Sequence, residues 1–223
     1  LSLDGGTPRD LDLAGAESEL ALAELAASGA GRHTLEVRVL GGSVRLLGAA
    51  FEAAGGAVHS VVAFNGAEAA WLAALPDALF RAEVAAEKPD AVILAFGTNE
   101  GLGGGFQPEA YRRGLARVLT NLRQAAPRAA LVLVGPPDGR ARRGGALDAV
   151  VAAQRELAER FGARFVDQRQ AMGGAGSIDR WRGQGLAAPD LVHLTAPGYQ
   201  RLSRAVLSDL LPRLGPVDAT ALA

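Results

Sequence analysis

The sequence predicts an α/β domain built on a parallel sheet, preceded by a shorter β-rich segment. Three observations carry this expectation. Residues 91–96 form a fully apolar run, Ala-Val-Ile-Leu-Ala-Phe. A strand apolar on both faces is buried on both faces, as in a parallel sheet covered by helices. A second apolar run, 130–134, and a shorter strand candidate, 163–166, follow it, and segments of helical period separate the three. Each run leads into Gly or Asp, the punctuation of a strand end.

The chain has 223 residues, 49% of them apolar. That is enough for one α/β domain with a sizeable core, or one domain plus a small piece. No apolar run reaches the ~18 residues of a membrane span. Net charge is −1, with acids and bases interspersed, so no nucleic-acid partner is predicted. There is no cysteine, which excludes a disulfide framework, thiol catalysis and Cys-ligated zinc. The chain opens at Leu1 with neither a basic n-region nor an apolar h-region. It reads as a fragment or processed piece, and export is not legible from it.

From the N-terminus, Asp4-Gly5-Gly6-Thr7-Pro8 is a turn signal. Glu19 to Ala27 is either a short helix ended by Gly29 or a strand with Leu20 and Leu22 facing inward. Leu35, Val37 and Val39 alternate with Glu36 and Arg38, and Val44 to Phe51 resumes an apolar run after Gly41-Gly42-Ser43. The simplest reading is a β-hairpin. Ala57 to Phe64 is a strand candidate ending at Asn65-Gly66, and a helix carries Trp71, Leu72 and Leu75. Pro76 breaks that helix, and another runs from Asp77 to Glu87. The strand at 91–96 leads into a Gly-rich loop, 97–107, and Pro108 opens a helix to Ala125 at the first helical position. After the strand at 130–134 comes Gly135-Pro136-Pro137-Asp138-Gly139, then a helix over 146–161. The strand at 163–166 ends at Asp167, and a loop through Met172 to Ser177 leads to a short helix around Trp181. The last helix runs from Pro197 to Leu211, stopped by Pro212.

In such sheets, sites form at the carboxyl ends of strands. That singles out the loops at Asn65-Gly66, at 97–107, at 136–138 and at Asp167. The Asn99 side-chain amide can donate a hydrogen bond to charge developing on a substrate oxygen. Gly66 lacks a Cβ, so its N–H can approach the same oxygen closely. The plain alternative is that both are ordinary turn residues. Asp190 stands three residues before His193, just ahead of the last helix. A carboxylate there either caps backbone N–H groups or fixes the imidazole for proton transfer. Asp167 reads as a cap for the segment after it. His33 and His59 have no partner at metal-ligand spacing, so no metal site is predicted.

Together, Gly66, Gly97-x-Asn99-Glu100 and Asp190-x-x-His193 resemble the SGNH (GDSL-type) hydrolases over about residues 57–211. Met172-Gly173-Gly174, Trp181, Gly185-Leu186 and Leu194-Thr195-x-x-Gly198-Tyr199 look like the branch of peptidoglycan and polysaccharide O-acetylesterases. Glu100 stands where many SGNH enzymes have Asp. The resemblance implies a three-layer α/β/α, flavodoxin-like domain at 57–223 after a partial β-sandwich-like, carbohydrate-binding-like segment at 1–56. It implies His193 as general base and acid, Asp190 orienting it, and Asn99 and Gly66 in the oxyanion hole. It further implies an O-acetylated carbohydrate substrate, a periplasmic or extracellular location, no cofactor and no protein partner. Trp181 is either a sugar-stacking platform or a packing residue.

The family's Gly-Asp-Ser nucleophile block is missing from the chain. In one reading, Ser43 of Gly41-Gly42-Ser43 is a drifted nucleophile opening a helix from Val44 to Ala54. Gly48 in its middle and Val44 at its start oppose that. In the other, Ser43 is a hairpin tip, residues 1–56 end an inserted β-sandwich, and the serine lies upstream of Leu1. The sequence favours the second. Ser60 falls mid-strand, and Ser177 lies in a flexible Gly-rich loop, a poor mount for a nucleophile. The expected activity is esterase, with an O-acetyltransferase or a catalytically inactive sugar-binding protein as alternatives.

Overall fold

The computed structural model describes residues 1–15, 20–53, 55–141 and 145–210. The chain divides into two compact units, Leu1–Val62 and Ala63–Ala223.

In the first unit, β1 (Ser2–Leu3) pairs antiparallel with β2 (Leu35–Glu36), Leu3 opposite Leu35. The expected hairpin across Gly41-Gly42 does not form. The reason is local and polar. Asp4 Oδ1 accepts the Thr34 N–H and Oδ2 bonds His33 Nδ1, each at 2.8 Å. These bonds capture the start of the 35–39 run for the N-terminus, and 37–53 then forms neither strand nor helix. Residues 20–27 are also irregular, and Glu19 and Ala54 lie outside the described residues. The strand expected at 57–64 is not a strand either. Val58, Val61, Val62 and Phe64 are all exposed, so no core holds this stretch extended.

The second unit follows the β/α rhythm. Helices α1 (Ala69–Ala73) and α2 (Asp77–Glu87) flank Pro76. Then come β3 (Ala91–Ala95), α3 (Thr98–Gly103), α4 (Pro108–Ala125) and β4 (Ala130–Gly135). They are followed by α5 (Leu147–Arg160), β5 (Arg164–Asp167), α6 (Gln168–Met172), α7 (Ser177–Gly183) and α8 (Ala196–Leu210). The sheet order is β3-β4-β5, all parallel, with Ala95 opposite Val134 and Gly135 opposite Asp167. That register sets the three carboxyl ends on one rim.

Alternation along β4 divides its side chains between two faces. Leu131 and Leu133 pack with Tyr111, Leu115, Val118, Leu119 and Leu122 of α4 and with Val150, Ala153 and Leu157 of α5. The helical residues recur every three or four positions, giving each helix one apolar stripe. On the other face, Val132, Val134 and Val166 meet Val206 and Leu210 of α8. This is an α/β/α arrangement. A third cluster, Met172, Ile178, Trp181, Ala187, Leu194 and Leu202, packs the C-terminal segments together.

Part of the stretch read as a Gly-rich loop is helical, and a short helix precedes the loop that starts near Met172. Residues 98–103 form α3 because Gly97 turns the chain at φ 116° and the Glu100 side chain accepts the Gly97 N–H at 3.0 Å. Residues 168–172 form α6, capped by Asp167, whose Oδ1 accepts the Gln170 N–H at 2.9 Å. Asp167 therefore takes the capping role. The end of the last helix expected at Leu211 and Pro212 lies outside the described residues. Among the described residues, no helix is long and apolar enough to cross a membrane.

Candidate active site

At the end of β3, the chain turns through Gly97. A Cβ there would meet Val150 Cγ1 at 2.8 Å and Pro136 Cδ at 3.0 Å, and φ is positive. Only glycine fits both constraints. The turn delivers Asn99 and Glu100 on the first turn of α3. Asn99 is exposed, and its Nδ2 donates to the Ala67 carbonyl at 2.8 Å. An amide nitrogen carries two N–H donors. The bond to Ala67 uses one of them and orients the group. Gly66, the residue before Ala67, has φ 77°, and its Cβ position faces open space. The structure thus brings the Gly66 turn and Asn99 together.

Glu100 is the residue that sequence reasoning undervalued. It is buried, with Oε1 accepting the Ala69 N–H at 2.9 Å and Oε2 accepting the Gly97 N–H at 3.0 Å. Burial pushes its carboxyl above the usual carboxylate range, against the opposing pull of the Ala69 N–H. Its spacing from Gly97 was visible, but its bond to Ala69 crosses 31 residues and had no signal.

Asp190 and His193 sit on a tight turn between Ala187 and Leu194, which form an isolated antiparallel bridge. Asp190 Oδ1 accepts the N–H groups of Val192 and His193, each at 3.0 Å. Its Oδ2 lies 2.7 Å from His193 Nδ1. The His193 contact, then the two backbone N–H bonds, hold the Asp190 carboxyl well below the usual carboxylate range. It stays ionised wherever the ring needs a partner. Leu191, between the two, has φ 57°, a strained value for a residue with a branched side chain. The turn tolerates it because Leu191 O accepts the Arg140 N–H at 2.8 Å, and Leu191 N donates to Ala188 O at 3.1 Å.

The Arg140 segment is held in turn by Asp138, another residue whose role the sequence did not reveal. Asp138 is 2% exposed. It accepts Arg169 Nε at 2.9 Å, Ile178 N at 3.0 Å and Ser177 Oγ at 3.3 Å. Its own N–H donates to Met172 Sδ. Ser177, expected in a flexible loop, is instead the buried first residue of α7.

His193 lines a cavity of about 230 Å³ at the carboxyl ends of β3 and β4, shared with Phe96, Thr98, Pro136, Tyr199 and Ser203. Its side chain is 70% exposed. Within this unit and among the described residues, no serine hydroxyl is bonded to the ring. Ser43 lies exposed in the other unit. Trp181 does not present a stacking face: it is 4% exposed, its Nε1 donates to Met172 O at 3.1 Å, and the Arg201 guanidinium lies 5.4 Å from the ring centroid. Apolar packing in the cluster with Met172 and Leu202 buries the indole, which makes it a packing residue. Among the described residues, no group of three or more His, Cys, Asp or Glu could hold a metal ion.

An imidazole oriented by an ionised carboxylate, in a cavity at the carboxyl ends of a parallel sheet, suits proton transfer to and from a reacting group. Comparison with curated protein sequences finds no match. Among solved structures, the chain is similar to a peptidoglycan O-acetylesterase at 28% identity and TM-score 0.59, over 67% of this chain and 44% of that one. It is similar to Axe2, an acetylxylan esterase from Geobacillus stearothermophilus, at 21% identity and TM-score 0.50, over 65% and 68% of the two chains. A carbohydrate esterase family 3 protein from Talaromyces cellulolyticus aligns at 20% identity and TM-score 0.52, over 69% and 70%. The last two establish the fold alone. The chain spans under half the length of the peptidoglycan O-acetylesterase. Residues 26–201, well over half of the chain, match the GDSL-like Lipase/Acylhydrolase family. The chain belongs to the GDSL-like lipase/acylhydrolase family.

Proposed function

We propose that this chain is the acid–base and oxyanion portion of a serine esterase that removes O-acetyl groups from a carbohydrate or peptidoglycan. The observation that carries the reading is the 2.7 Å contact between Asp190 Oδ2 and His193 Nδ1 on the sheet rim. With Nδ1 engaged, Nε2 takes the proton of an attacking serine and returns it to the leaving sugar hydroxyl. The acetyl group passes to the serine, and water activated by the same imidazole releases acetate. The free Asn99 N–H and the Gly66 N–H stabilise the tetrahedral oxyanion. The likeness to a peptidoglycan O-acetylesterase at 28% identity supports the substrate class. From the motif resemblance to the O-acetylesterase branch, we further propose a periplasmic or extracellular location and a carbohydrate-binding-like nature for residues 1–56.

In this reading the nucleophile is neither Ser43 nor a serine of the α/β unit. Ser177 is fully buried against Asp138, and Ser203 of α8, which lines the His193 cavity, makes no hydrogen bond to the ring. The composition of β3 supports a serine delivered on another strand. Ala91–Ala95 is apolar throughout, as in a strand paired on both sides, yet β3 is an edge strand among the described residues, and Ile93 is 57% exposed.

The test is hydrolysis of p-nitrophenyl acetate and acetate release from O-acetylated peptidoglycan or xylan by the full-length protein. His193→Ala is expected to lose activity by orders of magnitude, and Asn99→Ala by ~10²–10³-fold. Rates like those of the unsubstituted protein in either variant would refute the assigned roles.

A further inference from the structure

We propose that Glu100 is the positioning residue of the oxyanion site: its carboxylate clamps the Gly66 turn and the Asn99 turn into one rigid unit. The inference rests on the reading of Gly66 and Asn99 as oxyanion donors. Two side-chain bonds link the segments. Asn99 Nδ2 reaches Ala67 O at 2.8 Å, and Glu100 Oε1 takes the Ala69 N–H at 2.9 Å. The second Glu100 oxygen holds Gly97, the pivot on which Asn99 turns, at 3.0 Å. The carboxylate thus sits between the backbone that leaves Gly66 and the backbone that enters Asn99.

The chemistry requires a carboxylate. Both neighbours are backbone N–H donors, so both side-chain oxygens must accept. A glutamine offers one acceptor and one donor, and turns one contact into N–H against N–H. The packing around the clamp is rigid. Ala69 is 2% exposed, and a Cβ on Gly101 would lie 2.6 Å from Leu147 Cδ2, so α3 has no room to slide. A buried carboxylate is a poor source of stability, because desolvation offsets most of what its bonds return. What it supplies here is a set spacing between two donors, the quantity on which stabilisation of a developing oxyanion depends.

The test uses the full-length protein with E100Q and E100D. Both kcat and KM are measured on p-nitrophenyl acetate, together with the Gly66 backbone amide and the Asn99 side-chain amide in ¹H–¹⁵N spectra. For E100Q, kcat is expected to fall by about 10²-fold with KM unchanged, the signature of an interaction made in the transition state. The Gly66 and Asn99 signals move while those of Asp190 and His193 stay. E100D keeps the carboxylate, serves as the folding control, and retains more kcat than E100Q. Unmoved Gly66 and Asn99 signals, or a raised KM with unchanged kcat, would overturn the assignment. If the unsubstituted protein hydrolyses no ester, the esterase reading fails, and the amide signals then decide the clamp by themselves.

Discussion

Asp190 uses its two oxygens for two different tasks. Oδ1 caps the Val192 and His193 N–H groups, and Oδ2 faces the imidazole. The sequence presented these as rivals, and the turn accommodates both. The capping bonds also fix where the second oxygen points, so the cap is the means by which the ring is oriented. The folded carboxyl lies below its usual range. Its stabilising contribution is therefore complete above the unfolded carboxyl value of about 3.9 and is lost only as pH falls through the lowered folded value. Asp190→Asn is expected to speed hydrogen exchange at the Val192 and His193 amides at neutral pH. The gap to the unsubstituted protein should persist to about pH 4 and close only in stronger acid. Equal exchange at neutral pH, or a gap already closed at pH 5, would sink this account.

At the scale of elements, the site depends on how α8 starts. Thr195 O accepts the Tyr199 N–H, Thr195 Oγ1 accepts the Gly198 N–H at 3.3 Å, and the same hydroxyl donates to Gly185 O at 2.8 Å. Gly198 lets the helix come this close: a Cβ there would lie 1.9 Å from the Leu186 carbonyl oxygen. Since Leu186 O also accepts the Thr195 N–H, the helix start and the His193 turn share one anchor. Gly198→Ala must displace backbone, at a cost of about 3 kcal/mol or more. That corresponds to a thermal midpoint roughly 6–12 °C lower. A midpoint within 2 °C of the unsubstituted protein would show that α8 and the 186 segment are free to separate. The Thr195-x-x-Gly198 spacing was legible in the sequence. The reason for the glycine was not, because the atom it avoids lies twelve residues away on another segment.

For the whole molecule, the question is where the nucleophile resides. In the proposed reading the α/β unit supplies a base, its orienting carboxylate and two oxyanion donors, while its serines are buried (Ser177) or on α8 (Ser203, Ser208). Ser43 lies in the other unit. We expect Ser43→Ala to leave esterase activity of the full-length protein intact, and the 223-residue chain alone to hydrolyse p-nitrophenyl acetate hardly faster than buffer. Loss of activity by orders of magnitude in Ser43→Ala, with the fold unchanged by circular dichroism, would instead make Ser43 the nucleophile.

By itself, the sequence determined the β/α alternation of the second unit, the strands at 91, 130 and 164, and the helices behind them. Those follow from periodicity, Pro and Gly, which act over a few residues and are written locally. It also placed Asn99 and the Asp190–His193 pair at strand ends or turns. Tertiary structure decided the rest. Leu35–Glu36 found Ser2–Leu3 because Asp4 bonds residues 33 and 34. Residues 98–103 became a helix because Gly97 and Glu100 close its first turn, and Trp181 was buried by neighbours from three segments. Glu100 and Asp138 gained their roles from donors 31 and 40 residues away. A single polar side chain carries no period, so nothing in the chain pattern announces which distant N–H it will meet.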